Sequence, residues 1–376
     1  MRVTYTPFYH AKDGEFCALS KAEPGHKEGL LPLFEIGRFT DKMGELKRYR
    51  DETAPKVSYL NWVADSVQTV FPARMVMVDT FAWKIKERLE TGEVPIAYAI
   101  NALLEREQPV IPVVGVDRWD DPDYQFALKS LSSEDLPIWA LRLQSDEIED
   151  AIDEDHFLES IDEILQGLGL SSSNVGLLFD FGDVSKKDSD LIVEQSERIF
   201  ALVADYNFKF FSVVGCSMPA SVTQAAKLPN TQAVLPRKEM IAWRSLRAAH
   251  LDLPIAYGDY GVRGPSSTDA PNPHINGKIR YSIQDAFFVA RGQSKVYENG
   301  EQMYRLANIV ASSPHFLGPH FSWGDKEIHR RAVREKKVGP GNANSWVKID
   351  SSHHLAWVAA EVAAVEHALS ATPVLV

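Results

Sequence analysis

The sequence lacks the features of a disulfide-stabilised protein and of a membrane-spanning protein. Its two cysteines, Cys17 and Cys216, are too few for a disulfide framework and are expected to be small buried side chains in a reducing compartment. No apolar run approaches the length of about 18 residues that a membrane span needs. Residues 1–5 are typical of a strand rather than of a signal peptide. We therefore expect a cytoplasmic protein.

Basic residues are also scarce relative to acidic ones. The chain has 40 Lys and Arg against 52 Asp and Glu, which gives a formal net charge of -12. A surface that binds nucleic acid over its whole extent needs an excess of Lys and Arg, so this balance argues against that class and leaves room for a local basic groove. Hydrophobic residues make up 45% and charged residues 24% of the chain, as in an ordinary globular protein with a large core.

Eight apolar segments alternate with helical patterns over roughly the first two-thirds of the sequence. We predict strands at residues 4–10, 30–38, 75–80, 110–117, 138–143, 175–182 and 208–215, and a last one that ends at Asp259. The predicted helices lie at 14–22, 42–70, 94–107, 146–168, 190–204 and 237–250. Parallel neighbours need long connections, and eight such units predict an α/β fold with a (β/α)₈ TIM-like barrel. An open doubly wound sheet is the alternative, because strand number does not prove closure.

Residues 264–376 do not continue the alternation of apolar strands and helices. We predict a barrel domain at residues 1–263 and a C-terminal α+β extension at 264–376, packed on the barrel rim. The extension has predicted strands at 278–282 and 286–291 and helices at 300–312, 323–336 and 351–371. A loop at residues 264–274, rich in proline and serine, is the predicted boundary or a lid.

Charged residues recur where the predicted strands end, at the functional face of such barrels. We select Glu35, Asp180 and Asp259 as catalytic candidates, and Asp79, Asp180 and Asp259 as ligands of Mg²⁺ or Mn²⁺, because these ions prefer oxygen. For any single aspartate, capping of the following helix is the simpler explanation. Capping does not explain the arginines that lie between the carboxylates in the sequence.

Those arginines could compensate the carboxylates or hold an anionic substrate through their guanidinium forks. The candidate substrate-binding residues are Lys12, Arg38, Arg118, Arg142, Tyr260, Arg280 and Trp323. Paired carboxylates could instead serve glycoside hydrolysis, which we rank lower because the separation of the carboxylates is not readable from sequence.

Two further motifs are weaker candidates for a functional site. His353 and His354 are adjacent, so on a helix they point to different faces and make a poor metal pair. The glycines of residues 339–346 could cradle a phosphate, but the segment lacks the lysine of a P-loop and is better explained as a turn with a packed tryptophan.

A set of motifs over nearly the whole chain resembles the Beta family of bacterial and phage-encoded proteins. The motifs are LPLFEI at residues 31–36, LLFD at 177–180, YGDYG at 257–261, IRY at 279–281, GPHFSWGD at 318–325, GPGNANSW at 339–346 and SHHL at 352–355. Lys12, Gly14 and Glu15 keep the lysine and the glycine-glutamate pair that the family shows after its first strand. The resemblance assigns no catalytic residue, and it implies that barrel rim and tail act together.

The resemblance also implies a setting, since members are carried on mobile elements and some belong to cassettes that protect bacteria against phage. We therefore predict a component of an anti-phage defence system that binds and hydrolyses a phosphate-bearing or nucleotide-like ligand with a divalent cation, beside other proteins of its cassette. The alternative is a non-catalytic sensor or partner-binding subunit. A nucleic-acid ligand stays open, and no membrane partner is expected. The sequence does not predict the oligomeric state.

Overall fold

A computed structural model describes residues 2–131, 134–265 and 276–371 of the chain. Its strands are β1 (Tyr5–Tyr9), β2 (Leu33–Glu35), β3 (Val76–Asp79), β4 (Val110–Gly115), β5 (Trp139–Leu143), β6 (Val175–Asp183), β7 (Phe210–Cys216), β8 (Thr231–Pro236), β9 (Ile255–Asp259), β10 (Asn276–Ile283) and β11 (Ala286–Ser294). Its helices are α1 (Asp13–Lys21), α2 (Asp41–Gly44), α3 (Pro55–Val70), α4 (Pro95–Leu104), α5 (Pro122–Lys129), α6 (Ser145–Asp150), α7 (Glu154–Leu168), α8 (Ser189–Leu202), α9 (Val222–Ala225), α10 (Lys238–Ala249), α11 (Gln302–Ala311), α12 (Trp323–Ala332) and α13 (Ala343–Ala371).

The eight predicted barrel strands form a closed barrel in the order β1-β2-β3-β4-β5-β6-β7-β9. Every neighbouring pair is parallel, and the circle closes where β1 pairs with β9, with Pro7 opposite Asp259. The predicted (β/α)₈ TIM-like barrel is therefore confirmed, and the open-sheet alternative is excluded. The carboxyl ends of all eight strands meet at one mouth of the barrel.

Alternation along each strand divides the apolar residues between two cores. Interior positions hold Leu33, Met77, Val113, Ala140 and Leu178. The neighbouring positions Phe34, Val78, Val114, Leu141 and Phe179 pack outward beneath the helices. Both faces of each strand are buried, which explains why the strands read as continuous apolar runs in the sequence.

The extension is built on a three-stranded sheet with the order β10-β11-β8. Its third strand, β8, was not predicted and comes from the connection between β7 and β9, within the segment assigned to the barrel. Residues of α13 pack against α1, and Leu355, Val358 and Val362 enter the outer core of the barrel. Barrel and extension thus share both a sheet and a core. The domain bounds themselves stay a prediction.

Three predicted helices differ from the structure by a break or by a shift of their first residue. The helix at 42–70 is two helices, because Pro55 disfavours helical backbone at Ala54, the N-cap, and occupies the first position of α3. The helix at 146–168 breaks between α6 and α7, where the carboxylate of Asp153 caps α7. The last helix, α13, begins at Ala343 rather than at residue 351.

Two expectations concern the chain as a whole. The predicted boundary loop at 264–274 lies outside the described residues from position 266 onward. Within the described ranges, no helix combines the length and the apolar character that crossing a membrane requires.

The closely packed barrel interior gives a first prediction. A Cβ at Gly258 in β9 would lie 2.5 Å from Val214 Cγ2 and 3.0 Å from the hydroxyl oxygens of Ser212 and Thr6. We expect Gly258→Ala to lower the free energy of unfolding by about 1–3 kcal/mol, the usual cost of overpacking. Urea denaturation measures the change. Gly25→Ala is the control, because nothing lies within 4 Å of a Cβ there. Equal stability of the two variants would contradict the packing described.

Candidate functional site

The barrel mouth carries a cluster of charged side chains, which we call the mouth cluster. It consists of Glu35, Asp79, Arg118, Arg142, Asp180 and Tyr260. In β2, β3, β5 and β6 the charged residue lies two positions after an apolar residue of the barrel interior. Residues two positions apart on a strand share a face, so the charged side chain also points into the barrel. The structure therefore brings together six of the residues selected from the sequence.

Arg142 is the centre of the mouth cluster. Its Nη1 donates hydrogen bonds to Glu35 Oε2 at 2.9 Å and to Asp79 Oδ2 at 2.7 Å. Its Nε and Nη2 donate to Asp180 Oδ2 at 2.9 Å and 2.6 Å. The hydroxyl of Tyr260 also donates to Asp180 Oδ2, at 2.6 Å. With 1% of its surface exposed, Arg142 holds three carboxylates out of water.

A second arginine and several rings complete the cluster. Arg118 Nη1 donates to Asp79 Oδ1 at 2.8 Å, so both oxygens of this carboxylate face guanidinium groups. The ring of Phe81 lies 4.9 Å from the Arg142 guanidinium carbon and 5.6 Å from that of Arg118. Aromatic faces attract such cations. The mouth is thus filled by mutually satisfied charges beneath an aromatic ring.

The electrostatics of the cluster favour an ionised Glu35 and a neutral Tyr260. Burial alone would raise the pKa of Glu35, but a hydrogen bond from His10 and the charge of Arg142 lower this pKa to about 2. Burial and the nearby charge of Asp180 raise the pKa of Tyr260 well above its usual value. Tyr260 is therefore a hydrogen-bond donor at neutral pH, and Glu35 is an acceptor.

Asp259 does not join the mouth cluster, which corrects its grouping with Asp79 and Asp180. It shares the outward face of β9 with Tyr257, and its Oδ1 accepts hydrogen bonds from Tyr5 Oη at 3.0 Å and Gly261 N at 2.9 Å. Its Oδ2 lies 3.0 Å from Nε2 of His354 in α13. In this position Asp259 ties the extension to the barrel.

Three other selected residues belong to other elements of the fold. Lys12 occupies the N-cap position of α1. Arg38 donates from Nε to Glu87 at 2.6 Å on the surface. Trp323 begins α12 and packs against the core of the extension.

The arrangement of carboxylates bears on the predicted metal site. Within the described ranges, no group of three or more His, Cys, Asp and Glu side chains is placed to hold a metal ion. The predicted ligands Asp79 and Asp180 accept hydrogen bonds from Arg142. The two adjacent histidines serve separate partners, as expected, since His353 Nδ1 lies 2.9 Å from Asp325 while His354 faces Asp259.

A second candidate site, the junction cleft, lies between the last barrel loops and the extension. It is a cavity of about 380 Å³ with apolar walls that include Met218, Val262, Met303 and Trp346. Its charged lining residues are Arg263, Lys278, Arg280 and Lys295. Among the described residues that line it there is no aspartate or glutamate, so this part of the lining is cationic in an acidic protein.

Two cationic residues of the junction cleft, Arg280 and Lys278, differ in their hydrogen bonds to the protein. Arg280 donates from Nε to Asp350 Oδ2 at 3.0 Å and from Nη1 to the Val262 carbonyl at 2.8 Å. Lys278 is half-buried, and no hydrogen bond links its amine to the described residues. Burial, followed by the nearby charges of Arg280 and Arg263, lowers the pKa of Lys278 to about 8 against the opposite effect of Asp350.

Arg280 was selected from the sequence, whereas Arg263, Lys278 and Lys295 were missed. One signal was available, because Lys278 and Arg280 stand two residues apart on a predicted strand and therefore share a face. The other two cations come from separate loops, and only the folded chain brings them to the cleft.

Fold and site together define a parallel eight-stranded barrel protein with a buried arginine–carboxylate cluster at its mouth and a cationic cleft beside its extension. The model of the family described as Beta protein matches residues 5–360, and the chain belongs to that family. No curated protein matches the sequence. A solved UDP-N-acetylglucosamine 2-epimerase from Rickettsia bellii aligns with 98% of this chain and 97% of its own at 10% identity. Its TM-score of 0.20 is too low to carry an argument.

The central position of Arg142 generates a prediction. We expect Arg142→Met to lower the free energy of unfolding at pH 7 by about 3–5 kcal/mol, because three carboxylates lose their buried partner. Arg38→Met is the control, since it breaks a surface ion pair worth at most about 1 kcal/mol. Urea denaturation compares the two variants, and equal losses would contradict the role assigned to Arg142.

The pH dependence of the same variant has a definite sign. In the wild type the pKa of Glu35 is about 2 in the folded state and about 4.3 in the unfolded state. The Glu35 carboxylate therefore contributes to stability above about pH 4.3, and this contribution is lost as pH falls toward 2. Without Arg142 the folded-state pKa of Glu35 should be less depressed. The stability of Arg142→Met should therefore rise relative to the wild type as pH falls from about 4.3 toward 2.

Proposed function

We propose that the protein is a binding subunit that takes a phosphate-bearing or nucleotide-like anion in the junction cleft. One observation carries the proposal: four cationic side chains and no described carboxylate line a cleft of about 380 Å³ in a chain of net charge -12. Cavities of small-molecule sites typically measure about 300–1,000 Å³. The cleft has the size and charge for an anionic metabolite.

The lining groups suit phosphate in particular. Arg280 is held in place by Asp350 and Val262, and a fixed guanidinium offers paired donors to phosphate oxygens. Asn342 and Ala343 bring the start of the 29-residue helix α13 to the same cleft. Free amides and the dipole of a helix N-terminus favour bound anions. Both features support a phosphate group near Arg280.

The mouth cluster supports a binding role over hydrolysis. A divalent-cation hydrolase, as predicted from the sequence, needs Glu35, Asp79 and Asp180 free to ligate a cation or activate water. Each of these carboxylates instead accepts a hydrogen bond from Arg142. Their geometry therefore favours the non-catalytic sensor, and hydrolysis with Mg²⁺ or Mn²⁺ stays a prediction.

The cellular setting in this proposal is phage defence in the cytoplasm, beside other proteins of a defence cassette. Its support is the family resemblance of the sequence motifs. Two of these motifs, at residues 279–281 and 339–346, contribute lining groups to the junction cleft. A subunit that senses a phosphate-bearing molecule would signal through partners that contact its extension.

Binding of pyrophosphate and of ATP, each without added metal, tests the proposal by isothermal titration calorimetry. The double variant Lys278→Gln/Lys295→Gln should bind at least tenfold more weakly, because two cations of the cleft are lost. The matched control Lys186→Gln/Lys326→Gln removes two exposed lysines elsewhere and carries the same net charge. Unchanged affinity in the cleft variant, or an equal loss in the control, would refute the site.

A phage-plating assay tests the setting separately. Cells that carry the full cassette with the cleft variant should lose protection, whereas the control variant should protect like the wild type. If the cleft variant loses pyrophosphate binding and still protects fully, ligand binding in the cleft is not what the defence uses.

A further inference from the structure

We infer that Lys278 is a nucleophilic amine that forms an imine with a phosphate-bearing aldehyde or ketone in the junction cleft. This inference rests on the proposed function for the phosphate group and adds a covalent step at a named atom. It narrows the ligand class from any phosphate-bearing anion to one that also carries a reactive carbonyl.

The position of Lys278 is suited to this chemistry. It lies on β10 opposite Arg291 of β11, within the paired part of the sheet, so its backbone is fixed. Its side chain lines the junction cleft and is half-buried. Apolar side chains that include Val262 and Met303 line the same cleft. A carbonyl carbon bound in the cleft would lie beside the amine.

The surrounding charges keep part of the amine neutral. Arg280 is fixed two residues along the strand by its bond to Asp350, and Arg263 lines the same cleft. Burial and these two cations lower the pKa of Lys278 to about 8. Near neutral pH the neutral fraction is then roughly two hundredfold larger than for an ordinary lysine. Desolvation and a neighbouring cation are known means of activating a lysine as a nucleophile.

The covalent step balances without any further reagent. The lone pair of Lys278 Nζ attacks the carbonyl carbon and forms a carbon–nitrogen bond. The carbonyl oxygen takes up the two protons of the amine and leaves as water, so that a carbon–nitrogen double bond remains. Nothing is oxidised or reduced. The phosphate stays bound beside Arg280 and holds the carbonyl in reach.

Pyridoxal 5′-phosphate is a suitable probe, because it joins an aldehyde to a phosphate. We expect the full-length protein to give an imine absorbance with it, and borohydride reduction followed by peptide mass spectrometry to place the label on Lys278. The labelling rate should reach half its maximum near pH 8. Pyridoxal, which lacks the phosphate, should react at least tenfold more slowly, and pyrophosphate should compete with the labelling.

Two variants separate this inference from the proposed function. Lys278→Arg keeps the positive charge and removes the nucleophilic amine, so it should lose the label and still bind pyrophosphate more tightly than the double variant Lys278→Gln/Lys295→Gln. Lys186→Arg, at an exposed control position, should label like the wild type.

The possible outcomes are distinct. Undiminished labelling of Lys278→Arg, a label spread over surface lysines, or a half-maximal rate near pH 10 would each overturn the inference while leaving phosphate binding intact. Failure of the wild type to bind pyrophosphate would instead overturn the proposed function.

Discussion

The organisation of this protein depends on the hydrogen bonds that Arg142 makes to three carboxylates at the mouth of the barrel. Buried carboxylates repel one another, and each loses its hydration, so Glu35, Asp79 and Asp180 can share this space only around a compensating cation. Arg142 meets the requirement with a rigid fork of donors. The place where barrels of this type usually bind substrate is consequently filled by the protein's own charges.

Because the mouth is filled, we propose that ligand recognition takes place at the junction with the extension. Buried contacts hold the two parts together: a hydrogen bond between Asp259 and His354 near the mouth, and an ion pair between Arg247 and Glu366 further along α13. Strand β8 leaves the barrel segment to complete the sheet of the extension. The junction cleft therefore has walls from both parts, and its shape is set by contacts that are distant in sequence.

Much of the barrel could be predicted from the sequence, because each of its strands is an apolar run buried on both faces. The convergence of Glu35, Asp79, Arg142 and Asp180 followed from their positions at strand ends. The same argument failed for Asp259. Successive side chains of a strand point to opposite faces, so a shift of one residue moves a side chain from the barrel interior to the outer face. The cationic cleft could not be predicted as a unit, because Arg263, Lys278 and Lys295 meet only after the extension has packed.

A crystal of the full chain soaked in tungstate, an anomalously scattering analogue of phosphate, would show where this protein binds anions. If the mouth is filled and the cleft is the recognition site, the strongest anomalous peak will lie in the junction cleft beside Lys278 and Arg280, with Arg142 still bonded to its three carboxylates. A strongest peak at the barrel mouth, with Arg142 turned away from Glu35, would contradict this account.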